Sequence, residues 1–293
     1  HMKKEQEQIL NKVTDAALTS GLRESGAPGT RADRKVRVLS FASVKKLSEH
    51  RDVPGLIRAL KNRDPAVQYE AVEALGAIGD PAATDALMAA LTGDQYSGIR
   101  WKAAEALGKI GTPAVPGLID ALKHPEEDIR WKAAVVLGEI GDPRAVDPLV
   151  ELLSDEDRFV RSRAVYALGL IGSPAVSALD HALKSTSIEV RRGAVTALGT
   201  IPDPRAADAL VRDLDDPDEE VRQDVIAALS RLADAAFDPL VRALGSTEPS
   251  RAEGAALALA GSGRPEALGA LAAAVEAADT ETRPALQSVV NDL

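Results

Sequence analysis

The chain has 293 residues, only 3% aromatics, a 45% hydrophobic fraction led by Ala, Leu and Val, and no cysteine. This suits helices packed closely through small side chains and gives little material for a β-sandwich core, while the missing thiols exclude disulfides, zinc–thiolate sites, iron–sulfur clusters and thiol catalysis. The formal charge of -10 argues against a general nucleic-acid role, since phosphate binding needs a positive surface.

In chain order, His1-Met2 reads as an expression remnant, so His1 stays out of any metal argument. No secretory pattern follows, and no run approaches the roughly 18 apolar residues of a membrane helix; a cytoplasmic chain without membrane contact is expected. Residues 4–19 place Ile9, Leu10, Val13 and Ala17 on one side and predict a helix, and Gly21 to Thr30 predicts a mobile loop. Residues 1–32 are therefore expected to be an N-terminal capping helix and loop, and 33–293 a repeat array. The array opens with a degenerate unit, because Val36, Val44 and Leu47 lie one repeat length before Val67, Leu75 and Ile78.

The repeat, about 31 residues long, is read from the even spacing of Leu56, Leu87, Leu118, Leu149, Leu179, Leu210, Leu240 and Leu271. Leu75, Leu107, Leu137, Leu168, Leu198, Leu229 and Leu259 form a second series of the same period. The unit is clearest at Asp142 to Ile171. Asp142-Pro143 predicts an N-cap and first helical position, a pair echoed at Asp80-Pro81, Thr112-Pro113, Ser173-Pro174 and Asp203-Pro204. The first helix carries Val146, Leu149, Val150 and Leu153 and stops at Ser154 to Asp157. A second helix follows with Val160, Ala164, Ala167, Leu168 and Ile171 on one face and ends at Gly172. One such hairpin cannot bury its own apolar face, so stacked neighbours must share a continuous core. Asp279 to Leu293 predicts a last, imperfect helix.

The second helix closes on LGxIG at Leu75 to Gly79, Leu107 to Gly111, Leu137 to Gly141 and Leu168 to Gly172, and opens on VR or IR. In these residues the chain resembles HEAT repeats of the phycobilin-lyase-like type over residues 33 to 293. The resemblance implies an all-α fold, a right-handed α-α superhelix whose second helices form an inner, concave layer. It leaves function open, because the family includes scaffolds, adaptors, pigment-lyase subunits and enzymes. Gln68 departs from the Arg pattern, and LGxIG decays from Ile201-Pro202 onward.

Two sets of residues stand out. Arg37, Arg100, Arg130, Arg161, Arg191 and Arg222 recur at the start of the second helix and are expected to form a structural ladder, pairing with turn carboxylates such as Asp94, Asp128 or Asp157 or capping carbonyls. On the face opposite the core, Tyr69, Trp101, Lys102, Glu105, Trp131, Lys132, Arg163, Tyr166 and Arg192 are expected to line a binding groove, as rigid aromatics flanked by cations are efficient contact residues. Filling of gaps between second helices is the alternative for the Trp residues. Gly76, Gly108, Gly138 and Gly169 are assigned to close helix packing.

Enzymatic patterns are weak. His50, His124 and His181 stand alone and none is followed by Glu, against the paired His-Glu motifs of one di-iron HEAT-like class. A DNA-binding or DNA glycosylase-type reading finds Trp101, Trp131, Lys132 and Arg163, with Glu105 the nearest carboxylate, but faces an acidic total and a regular repeat. A phycobilin-lyase-like or chaperone role is the other alternative. Nucleotide, hydrolase and calcium motifs are missing. The expectation is a non-enzymatic scaffold or adaptor without metal or cofactor, binding a protein or peptide of acidic or phosphorylated character, with nucleic acid disfavoured. The acidic stretch from Asp213 to Asp224, holding seven acids and only Arg222, is read as solvated.

Overall fold

The computed structural model describes residues 43–93 and 96–293. The expected capping helix, the Gly21 to Thr30 loop, the boundary after residue 32, Arg37 and Asp94 lie outside the described residues. Among the described residues there are helices and turns and no strand. The described residues form two compact units, one up to Gly117 and the other from Leu118 to Leu293.

The first unit contains α1 (43–49), α2 (Val53–Ala59), α3 (Pro65–Ile78), α4 (Thr84–Thr92) and α5 (Ser97–Ile110). In the chain α6 (Val115–Ala121) spans the division. The second unit continues with α7 (Glu127–Ile140), α8 (Val146–Glu151), α9 (Arg158–Ile171), α10 (Val176–Ala182), α11 (Ile188–Leu198), α12 (Pro204–Arg212), α13 (Glu219–Ala243), α14 (Pro249–Gly261), α15 (Pro265–Ala277) and α16 (Arg283–Asn291). This all-α stack of hairpins is the solenoid class that the periodicity predicts. Both leucine series supply its core: Leu56, Leu75, Leu87 and Leu107 in the first unit, and Leu149, Leu168, Leu179 and Leu198 in the second, are fully buried.

The helix starts differ from expectation in two respects: Thr112 and Ser173 are the first residues of their turns and not caps, the cap positions being Gly111 and Gly172, and most of the pairs do not open an α-helix directly. Asp80-Pro81, Thr112-Pro113, Asp142-Pro143 and Ser173-Pro174 open a three-residue 3-10 turn before α4, α6, α8 and α10, and only Asp203-Pro204 opens an α-helix directly. Each turn ends on a fully buried alanine, Ala83, Ala114, Ala145 or Ala175, and the tighter winding carries that alanine into the core before the helix begins. The caps follow from the side chains: Asp80, Asp142 and Asp203 accept from the amides of Ala82, Arg144 and Arg205, each at 2.9 Å.

Two glycines of LGxIG do separate jobs. The last, as at Gly141 with φ 73°, turns the chain out of α7 in the left-handed region that other residues enter at a cost. The first allows close approach. A Cβ at Gly138 of α7 would lie 2.6 Å from the Ala167 Cα of α9, and one at Gly76 of α3 would lie 2.9 Å from the Ala106 Cβ of α5. Neighbouring second helices therefore pack side by side, α3 with α5 in one unit and α7, α9, α11 and α13 in succession in the other.

Where LGxIG and Asp-Pro are both lost, the punctuation goes with them. As the periodicity predicts, Leu229 and Leu240 lie on separate helical segments, which meet within α13 at the non-helical Ala233 (φ 20°, ψ -74°) with no loop between them. No glycine closes the second helix there and no capped proline reopens the chain.

Candidate partner-binding surface

The arginine ladder fixes the helices that present the surface. Arg100, buried, donates to the Gly93 carbonyl at 3.0 Å. Arg161 donates to the carbonyls of Asp155 and Glu156 at 2.7 and 3.0 Å, and Arg222 to those of Asp216 and Pro217 at 2.7 and 3.3 Å. Arg130 and Arg191 go further. Besides turn carbonyls, each grips a carboxylate of the next repeat through two bonds, Arg130 to Asp155 and Arg191 to Asp216. These carboxylates are not the ones named from the sequence: Asp128 pairs with Lys132, and Asp157 caps α9 by accepting from the amides of Phe159 and Val160. The hydrogen bond that Arg130 donates to Asp155 raises the Arg130 pKa further, against the opposing effect of burial, and Asp216 does the same for Arg191.

In the first unit, Tyr69 on α3 and Trp101, Lys102 and Glu105 on α5 are half-buried. Lys102 Nζ lies 2.9 Å from Glu105 and 5.8 Å from the centre of the Tyr69 ring. Burial disfavours the ammonium, but the Glu105 hydrogen bond and charge, helped by Tyr69 and Glu73, outweigh it and hold the Lys102 pKa above the ordinary lysine value.

In the second unit the expectation that Lys132 lines an open groove is corrected. Lys132 is only 1% exposed: its ammonium is ion-paired with Asp128 and lies 4.6 Å from the centre of the Trp131 ring. Helix α7 turns this lysine into the packing against its neighbour, so it does not stand on the open face. Arg192 is half-buried and engages Glu220 at 2.6 Å and Asp224 at 2.7 Å on α13. Both cations are committed to acids of the same chain.

What remains open is a stripe on α9. Phe159 (45% exposed), Tyr166 (44%) and Leu170 (46%) recur at i, i+7 and i+11, with Arg163 at i+4. The core residues of α9 point elsewhere. The half-buried Trp131 meets Phe159 edge-on, centroids 5.4 Å apart at 81°, and the Arg163 guanidinium lies 4.6 Å from the centre of the Phe159 ring. Arg163 Nε is itself buried with no hydrogen-bond partner. The sequence Arg158–Ile171 holds three arginines and no acid. Phe159 is missed when only one register of the outer face is compared between repeats; the i, i+4, i+7, i+11 spacing is the signal that finds it.

Among the described residues no three His, Asp or Glu side chains are placed to hold a metal ion, and no helix is long and apolar enough to cross a membrane. HEAT repeats match residues 53–117, 115–187 and 176–260. No curated protein sequence matches the chain. Among solved structures it is similar to human deoxyhypusine hydroxylase in complex with glycerol, at 24% identity over 84% of this chain and 97% of that one, TM-score 0.39. It is also similar to the complex of CpcE and CpcF of phycocyanin lyase from Nostoc sp., at 25% identity over 82% and 94%, TM-score 0.40, and to importin beta, at 17% identity over 84% and 42%, TM-score 0.46. At TM-scores below 0.5 none of the three bears on function.

Proposed function

Because the chain belongs to the HEAT-repeat family, we propose that it is a non-enzymatic scaffold or adaptor whose α9 face docks a protein or peptide segment of acidic or phosphorylated character. The observation that carries this reading is the exposed stripe of Phe159, Tyr166 and Leu170 beside Arg163. Rigid rings bury a large area with little loss of side-chain entropy, and the Trp131 contact holds Phe159 in place before any partner arrives.

The acidic preference rests on α9 having arginines and no acid within a chain of charge -10. By contrast, the base-excision alternative draws on Lys132 and Arg163, and it loses the first of these because that ammonium is buried against Asp128.

The test compares pull-downs by the wild type and by Phe159→Ser/Tyr166→Ser, with retained proteins identified and then titrated in purified form. A protein that binds the wild type and loses at least tenfold in affinity for the double variant, at unchanged helical circular dichroism, supports the reading. Equal retention by both proteins refutes it, and nucleic acid retained by both returns the alternative to consideration.

A further inference from the structure

A buried leucine stands at the end of the first helix in most described repeats. Leu91, Leu122, Leu152 and Leu183 follow one another at the repeat period, Leu244 comes two periods later, and all five are at most 7% exposed. Between the last two, in the repeat built on α12, the same position holds Asp213, which forms the C-cap of that helix as Leu152, Leu183 and Leu244 do for theirs. A carboxylate therefore occupies a leucine's place, at a helix end where the macrodipole disfavours negative charge.

Its surroundings sharpen the anomaly. Asp213 Oδ2 is buried and has no hydrogen-bond partner. The acids near it are engaged: Asp216 by Arg191 of α11, Asp215 by Arg251 of α14 at 2.7 Å, Asp180 of α10 by Arg212 at 2.9 Å, and Asp218 as the N-cap of α13. Arg222 of α13 is occupied with turn carbonyls. Arg191, whose charge favours ionisation of Asp213, is already committed to Asp216.

We propose that the turn 213–218 is a proton-operated latch, in which a proton on Asp213 closes the α12–α13 hairpin against α11 and its loss loosens that repeat. Protonated, the side chain is neutral and takes the leucine's place. Ionised, it faces Asp216, Asp215 and Asp180 with a buried oxygen that neither water nor a donor reaches. Burial, with Asp216 second, pushes this carboxyl up to about 7 from 3.8. A carboxyl raised in the folded state adds stability that is complete below the unfolded value near 4 and is lost as pH rises through 7. The latch is therefore closed in mildly acidic solution and open in mildly alkaline solution. The corresponding turn at Leu152 has the same clamp, Arg130 to Asp155, and no such group, so it serves as an internal control.

The experiment measures the thermal midpoint of the full chain from pH 5.5 to 8.5 for the wild type, Asp213→Asn and Asp213→Leu, with amide hydrogen exchange to localise the change. Allowing for solvent screening at a partly exposed group, the wild-type midpoint should fall by roughly 3 °C more than that of either variant. After correction for intrinsic base catalysis, exchange in α12 and the start of α13 should quicken several-fold with pH in the wild type alone, while α8 and α9 respond equally in all three proteins. Asparagine keeps the shape of the side chain, so that variant tests the charge even if leucine disturbs the fold. A wild-type slope retained by Asp213→Asn, no slope in the wild type, or loosening centred away from 204–225 would each overturn the latch.

Discussion

The Arg130 guanidinium meets the Asp155 carboxylate, 25 residues downstream, through bonds of 2.8 and 2.9 Å. Arg191 repeats the arrangement with Asp216 at the same separation, at 2.8 and 3.1 Å. Arg161 and Arg222 then hold the carbonyls of those same turns. Each of these two turns is thus gripped by two successive arginines, and in both the first arginine joins its repeat to the next through an aspartate 25 positions on.

Removing Asp155 leaves a buried guanidinium without its carboxylate. Asp155→Ala should cost about 2 kcal/mol in urea unfolding followed by circular dichroism, and Arg130→Met combined with Asp155→Leu should recover much of the loss. Arg144, whose own side chain is 56% exposed, pairs with Asp142 at 2.7 Å and is the contrast: Arg144→Ala should leave the unfolding midpoint unchanged.

Helical glycines separate by what surrounds them. Gly138→Val pushes a side chain into the Ala167 backbone and should destabilise the second unit by about 2 kcal/mol or more. A Cβ at Gly98 would meet nothing within 4 Å, so Gly98→Ala should be neutral or stabilising by up to about 1 kcal/mol, read from the same unfolding curves.

The two lysines of the aromatic face should part company. Lys132→Glu places a carboxylate in a buried site beside Asp128 and should cost about 3 kcal/mol, with a visible loss of cooperativity. Lys102→Glu, at a partly exposed pair with Glu105, should cost under about 1 kcal/mol. Equal losses would show that burial does not distinguish them.

Docking on α9 also carries a salt signature. Affinity for an acidic partner should weaken several-fold between 50 and 300 mM salt, and Arg158→Ser with Arg163→Ser should flatten that dependence without changing helicity. An unchanged salt slope would remove the charge part of the proposal and leave the aromatic part standing.

Helix content and repeat boundaries are legible in the sequence because each rests on a local rule: leucines at a constant period, glycine after the second helix, aspartate and proline before the first. The surface is less so. Helical periodicity places Trp101, Trp131 and Tyr166 away from the core stripe, but it does not say whether a long side chain leaves the helix toward solvent or bends under a neighbouring ring, as Lys132 does beneath Trp131. Nor does it reveal that the acids of α13 reach back to Arg192 of α11. In the sequence Asp213 reads as one more solvated acid. It stands out only when its column of leucines is compared between repeats and its buried oxygen is seen.

The most direct test of the central claim places a photo-crosslinking residue at Ser162, exposed on α9 between Phe159 and Tyr166, and separately at Asp147, exposed on α8. Irradiation in cells should give a discrete protein adduct from position 162 and none from 147. Adducts from 147 with none from 162, or equal capture at both, would contradict docking on the α9 face.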